Sequence, residues 1–285
     1  MDNAGYTLAD LLRIMERLRD PEDGCPWDLQ QDFQSIVPST LEECYELAAA
    51  IEAGDYPHLA DELGDVLFQV VFYAQLGQEQ KLFSFESVVH GLSDKLLRRH
   101  PHVFADGEIE GVVDKTVAQA GVQLGTSTEG NVGSTAAVKE QWEAIKAKER
   151  AGRSQLGALD DVPVALPALP RAQKLQKRAS RVGFDWKSAE PVWSKLDEEL
   201  GELREAVARK NDEDMEDELG DLLFTVVNLS RHLRIDAETA LRRASSKFER
   251  RFRAMEAQCA VQGQALEVLD SAAMELLWSD VKAAE

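Results

Sequence analysis

Apolar positions recur along this chain at the three- and four-residue spacing of helices, in blocks separated by short polar turns. From about His58 to Gln78 the block is apolar on most sides, through Leu63, Val66, Leu67, Val70, Val71 and Ala74, and predicts a helix at the centre of a bundle. A block from about Lys195 to Val207 predicts a second helix, and another follows the turn at Lys210 to Asp212. Gly54-Asp55 and Asn211-Asp212 suit a helix stop followed by an N-cap, so the helices on either side should pack antiparallel. Pro163, Pro167 and Pro170 interrupt helix propagation, and the next helix is expected to begin near Arg171.

The blocks repeat. Asp61-Glu-Leu-Gly-Asp-Val-Leu-Phe-Gln-Val-Val71 recurs as Asp217-Glu-Leu-Gly-Asp-Leu-Leu-Phe-Thr-Val-Val227, and Leu41-Glu-Glu-Cys-Tyr-Glu46 as Asp197-Glu-Glu-Leu-Gly-Glu202, both with one offset of 156 residues (61 to 217, 41 to 197). Farther out, Lys95-Leu-Leu-Arg-Arg99 matches Lys247-Phe-Glu-Arg-Arg251, and Trp142-Glu-Ala-Ile-Lys146 matches Trp278-Ser-Asp-Val-Lys282. Pro26-Trp27-Asp28 resembles Asp185-Trp186-Lys187 more loosely. The reading is an all-α tandem of two helical-bundle modules, 1–150 and 171–285, joined by a linker over 151–170. Within the first module, the Gly-, Ser- and Thr-rich stretch from about Asp106 to Thr135 reads as a flexible insertion.

Composition narrows the function classes. Acidic residues outnumber basic ones 52 to 32, a formal charge of −20, so the surface repels polyanions and nucleic acid is not an expected partner. Cys25, Cys44 and Cys259 form neither a disulfide framework nor a zinc pattern, which suits a reducing cytoplasm. Met1 to Leu12 lacks the basic-then-apolar order of a signal peptide. The longest apolar stretch, Val66 to Ala74, is interrupted by Gln69, so no membrane segment is expected.

The candidate chemistry lies in the acids. Glu199 and Glu202 share a helix face, as do Glu218 and Asp221 on the next helix, and antiparallel packing would bring all four together. Like charges at about 4 Å and an effective dielectric near 20 cost on the order of 4 kcal/mol per pair, which a hard cation with oxygen ligands relieves. One Glu-x-x-Glu on an acidic protein is ordinarily a solvated face. The same spacing in Glu43, Glu46, Glu62 and Asp65, set among apolar residues, favours a metal site in each module. A di-iron bundle would require Glu-x-x-His pairs, and none of the five histidines provides one, so Mg2+ is expected, with Mn2+ as a substitute.

Cations accompany the acids. Lys247 and Arg251 lie four apart, Lys95 and Arg99 repeat the arrangement, and a bound phosphate explains both better than a basic surface does. Lys195 precedes Glu199 by four residues, the weaker order for an intrahelical salt bridge, so a phosphate contact is expected instead. Trp278 and Trp142 suit either a core or a stacking surface for a nucleobase. Gly64 and Gly220, each between two acids, suggest close helix approach, and Cys44 a small packing residue.

These motifs resemble the MazG family of nucleoside triphosphate pyrophosphohydrolases, relatives of the all-α dUTP pyrophosphatases. The family pattern Glu-Glu-x-x-Glu followed by Glu-x-x-Asp stands here as Glu42, Glu43, Glu46, Glu62 and Asp65, and again as Glu198, Glu199, Glu202, Glu218 and Asp221. Gly-Cys-Pro-Trp-Asp near the start and Arg98-Arg-His-Pro-His-Val-Phe104 add to the likeness. The resemblance implies magnesium-dependent hydrolysis of a nucleoside triphosphate to the monophosphate and pyrophosphate by a homodimer. It makes Glu199, Glu202, Glu218 and Asp221 metal ligands, sets Lys195, Lys247 and Arg251 on the phosphates, and puts Trp278 beside the nucleotide. Glu198 or a ligand carboxylate orients the attacking water, which makes Glu198, Glu199 and Glu202 the catalytic candidates. Where the second module has Lys195 the first has Ser39, so the second is expected to be the principal site and the first, with Glu43, Glu46, Glu62 and Asp65, the weaker. A non-catalytic nucleotide sensor would present the same ligands, whereas a purely structural bundle gives no reason for them.

Overall fold

The computed structural model describes residues 5–104, 107–111, 145 and 157–284. The chain divides into two compact units, Met1–Lys146 and Ala147–Glu285. The first holds α1 (Leu8–Leu18), α2 (Pro26–Leu29), α3 (Val37–Ala53), α4 (Tyr56–Glu79) and α5 (Phe85–Arg99). The second holds α6 (Ala168–Ser180), α7 (Glu190–Arg209), α8 (Asp212–His232), α9 (Ala237–Val261) and α10 (Ser271–Ala283), with a 3-10 turn at Leu266–Val268. Among the described residues there is no β-strand, so each unit is all-α. Most of the predicted insertion, and Trp142, lie outside the described residues.

In each unit one antiparallel helix pair dominates, α3 with α4 and α7 with α8. The turns that join them are built from local chemistry. Gly54 ends α3 at φ 69°, and the Asp55 side chain then accepts from the His58 N–H at 3.3 Å. In the second unit Lys210 takes the left-handed conformation at φ 57°, where a Cβ is disfavoured, and the Asn211 side chain accepts from the Asp214 N–H. Lys210→Gly is therefore expected to stabilise the second unit by about 1 kcal/mol, read as a higher midpoint in denaturant. An unchanged or lower midpoint would show that the strain is offset by the Lys210 side chain.

Around these pairs the remaining helices close a small core. Met15 of α1, Ile36, and Val71, Phe72 and Leu76 of α4 are buried together, with Phe33, Phe68 and Tyr73 packed against them. In the second unit α6 and α9 pack on α8, and α10 packs on α9. The first turn of α6 begins at Ala168 rather than near Arg171 and contains Pro170, which is tolerated because an N–H there has no intrahelical acceptor.

Three expectations are corrected. The apolar helix, α4, is not covered on all sides within its unit: Leu63, Leu67 and Val70 are 53%, 40% and 41% exposed. Gly64 and Gly220 do not mark a close approach, since a Cβ at either would meet nothing within 4 Å. Cys44 is exposed rather than packed. No helix among the described residues is long and apolar enough to cross a membrane.

Candidate functional site

The i, i+3 spacing does what helical geometry requires: it stacks acids on one face of each helix, and the tight turns bring the two faces together. In the first unit carboxylate oxygens of Glu43, Glu62 and Asp65 all lie within 4.8 Å of one another, and in the second those of Glu199, Glu202 and Glu218 do so. The trios are not the same three positions of the repeat. Glu46 in the first unit and Asp221 in the second stand outside the trio, although the charge of each still acts on its neighbours.

The electrostatic cost is visible. Desolvation, then the charges of Asp65, Glu46, Glu62 and Glu42, hold the Glu43 carboxyl above its ordinary range. Desolvation, then Glu202, Glu199, Asp221 and Asp214, do the same to Glu218. Glu62 is buried; its Oε1 lies 3.1 Å from His58 Nε2, but its Oε2 has no hydrogen-bond partner among the described residues. A buried carboxylate oxygen without a donor, facing two other carboxylates, fits a hard divalent cation, which binds through oxygen.

The cationic residues are arranged differently from expectation. Lys195 does form the intrahelical salt bridge that its order disfavours: Nζ donates to Glu198 at 2.7 Å and lies 2.8 Å from Glu199. The order preference amounts to only a few tenths of a kcal/mol, which the acidic cluster easily outweighs. Hydrogen bonds to Glu198 and then Glu199 raise the Lys195 pKa, so its charge is held across the physiological range. Glu198 stays largely exposed. On α9, Lys247 is exposed and Arg251 half-buried, with the Arg251 guanidinium 5.8 Å from the centroid of the Trp278 ring. Phe248 lies 5.5 Å from the same ring, so Trp278 is neither core nor bare surface but part of a small aromatic and cationic cluster. Lys95 and Arg99 lie on α5, which packs on α4.

Two features had weaker signals or none. His58 precedes Glu62 by four residues, a spacing that could have been noticed. The clamp of Asp185 by Arg231 and His232 joins residues 46 and 47 apart, with one Arg231–Asp185 bond at 2.9 Å and His232 Nε2 at 3.2 Å, and no local pattern announces it. Burial opposes ionisation of Asp185, but the Arg231 guanidinium and His232 prevail and hold its carboxyl below the usual range.

Comparison with known proteins bears on these sites directly. The MazG nucleotide pyrophosphohydrolase domain matches residues 31–104 and again 187–255, which include every carboxylate of both clusters. The chain is 48% identical over 279 residues, 96% of its length and 97% of the other's, to a nucleoside triphosphate pyrophosphohydrolase of Escherichia coli (strain K12). It is 42% identical over 282 residues, 99% of its length and 98% of the other's, to the nucleoside triphosphate pyrophosphohydrolase/pyrophosphatase MazG of Thermotoga maritima. A Mycobacterium tuberculosis nucleoside triphosphate pyrophosphohydrolase is 34% identical over 182 residues, 63% of this chain and 47% of that protein. With two domain matches placed on its two acidic helix pairs and relatives aligned along nearly its whole length, the chain belongs to the MazG nucleotide pyrophosphohydrolase family.

Proposed function

We propose that this protein hydrolyses nucleoside triphosphates to the monophosphate and pyrophosphate, with Mg2+, or Mn2+ in its place, and that the second unit is the principal site. The observation that carries the reading is the convergence of Glu199, Glu202 and Glu218 within a segment that the family domain covers. Those three with Asp221 would hold the cation in the second unit, and Glu43, Glu46, Glu62 and Asp65 would hold it in the first. When bound, a divalent ion neutralises phosphate charge and lowers the pKa of bound water.

The side chains of this chain account for the rest. Lys195, fixed between Glu198 and Glu199, sets a permanent positive charge at the edge of the acids where a triphosphate must approach. Its ammonium also orients Glu198, whose exposed carboxylate can accept a proton from the attacking water. Lys247 and Arg251 extend positive charge along α9, and the Arg251–Trp278 contact gives a nucleotide a flat apolar surface with a cation beside it. Ser39 stands where the first unit would need its own Lys195, which removes that one phosphate contact from the first cluster.

The working form is a homodimer in the cytoplasm. Leu63, Leu67 and Val70 of α4 recur at the matching places of α8 as Leu219, Leu223 and Val226, spaced i, i+4, i+7 and each 40–53% exposed. Two apolar stripes on the paired central helices are what a bundle completed by a second copy requires. Leu67→Glu combined with Leu223→Glu should convert a dimer to a monomer in sedimentation velocity; an unchanged sedimentation coefficient would remove these stripes from the interface.

The deciding experiment is release of pyrophosphate from a panel of canonical and modified nucleoside triphosphates, with Mg2+ and with chelator. Release that needs the metal supports the reading. Binding of triphosphate without any release would make the protein a sensor.

A further inference from the structure

The first unit carries a side chain beside its acids that the second does not. His58 stands in the first turn of α4, one turn before Glu62 and two before Asp65, so the three follow one another along a single helix face. The Asp55 side chain accepts from the His58 N–H at 3.3 Å, which fixes the backbone from which the ring projects. His58 Nε2 then lies 3.1 Å from Glu62 Oε1.

Glu62 belongs to the carboxylate trio, in which an oxygen from each of Glu43, Glu62 and Asp65 lies within 4.8 Å of the others. It is 4% exposed, and its Oε2 is buried with no hydrogen-bond partner among the described residues. Two observations thus meet at one carboxylate: one oxygen has no donor, and the other has an imidazole nitrogen beside it. Two donors bound side by side to one ion at about 2.0–2.2 Å lie roughly 3.0–3.4 Å apart, and His58 Nε2 and Glu62 Oε1 already have that spacing. The His58 side chain is 56% exposed, so its ring can turn toward an ion without disturbing the core.

The repeat places Asp214 where the first unit has His58, at the same offset of 156 (58 to 214). Asp214 pairs with Arg209 at 3.2 Å, so the second unit has a carboxylate there in place of a nitrogen donor. Donor chemistry separates the two clusters. Carboxylate and water oxygens suit Mg2+, whereas imidazole suits the borderline divalent ions Ni2+ and Zn2+ and their neighbour Co2+.

The geometry points to a second kind of metal site in this chain: in the first unit His58 Nε2 joins Glu43, Glu62 and Asp65 as a ligand, and the site takes a borderline divalent transition ion in preference to Mg2+. This rests on the reading above only in that the trio holds a cation, and it requires no turnover by the first unit. The carboxylates supply charge, and His58 supplies selectivity. The two units of one chain thereby hold different metals.

The probe is Co2+, because an imidazole that ligates it gives a paramagnetically shifted N–H proton signal that exchanges with water. The full chain is titrated with Co2+ in excess Mg2+, followed by calorimetry and proton NMR. Wild type should bind one Co2+ per chain at high affinity and show one shifted imidazole signal. His58→Gln removes the ring but keeps an amide N–H that can reach Glu62, at a position exposed enough for the fold to be retained. It should abolish the signal and weaken Co2+ binding by at least roughly 10–100-fold, the range for loss of an outer-sphere partner alone, with Mg2+ affinity changed no more than about twofold. His58→Asp, which copies Asp214, should lose the preference for Co2+ over Mg2+. Absence of the shifted signal in wild type overturns the inference, as does its persistence in His58→Gln, which would place Co2+ on another histidine. An unchanged Co2+ affinity in His58→Gln, or an equal fall for both metals, also overturns it and leaves His58 as a hydrogen-bond partner that positions Glu62. Pyrophosphate release from a nucleoside triphosphate with Mg2+ is measured on the same samples. Binding of Co2+ through His58 in a wild type that releases no pyrophosphate upholds the site and rejects the hydrolase reading alone; release without that binding does the reverse.

Discussion

Glu199→Gln and Glu218→Gln, each made in the full chain, will lower pyrophosphate release at saturating Mg2+ by roughly 10²–10³-fold, while Glu43→Gln and Glu62→Gln will leave most of it. Glutamine keeps the length of each side chain but removes its charge, which at Glu199 also balances Lys195. Glu199 is the buried member of its trio, and burial together with the neighbouring acids opposes the charge of Glu218. The first unit carries the same acids with Ser39 in place of Lys195, and the proposal of a principal second site rests on that difference. Steady-state kinetics with the four variants, each checked for a normal thermal melt, decides the matter. Greater loss from Glu43→Gln than from Glu199→Gln would reverse the roles of the two units.

The second large effect is on stability. Glu43 and Glu218 hold their carboxyls above the ordinary value of 4.5, so the folded chain keeps protons that the unfolded chain has already released. Their contribution is complete below the unfolded value and is lost as pH rises through the folded value. Without divalent cation, these groups therefore make the protein less stable as pH rises out of the carboxylate range. Asp185 and Glu79, whose carboxyls are held low, act in the opposite sense and lose their contribution as pH falls. Added Mg2+ should reverse the loss at high pH, because it binds the ionised form. At a free concentration one hundred times its Kd it contributes about 2.7 kcal/mol, a rise of roughly 5–10 °C in the midpoint of a unit this size. The increment should grow as pH rises above the ordinary carboxylate value of 4.5 and through the raised values of the folded chain, and shrink sharply in a Glu43→Gln, Glu218→Gln double variant. A magnesium effect independent of pH and unchanged in that variant would place the cation elsewhere.

The residues that were legible in the sequence are those whose information is local. Gly54-Asp55 and Asn211-Asp212 contain their own turn chemistry, so the antiparallel pairs follow from a few residues each. The acids could be paired because three residues along a helix means one shared face. Exposure is not local either, and so Leu63, Leu67 and Val70 read as core although they are 53%, 40% and 41% exposed. Lys195 bonds Glu199 in spite of its order along the helix, because a small preference measured in isolated helices is outweighed inside a cluster of charge. Gln176 donates to the Phe224 carbonyl 48 residues away, a contact that no spacing rule anticipates.

The turn between α7 and α8 also limits how this chain can change. Each residue added to or removed from a helix swings everything beyond it by roughly 100° about the axis. A single deletion between Asn211 and Glu218 would carry Glu218 and Asp221 a quarter-turn or more away from Glu199, although the helix itself would survive. Drift in helix length is thus tolerated only in whole turns between the turn and the acids.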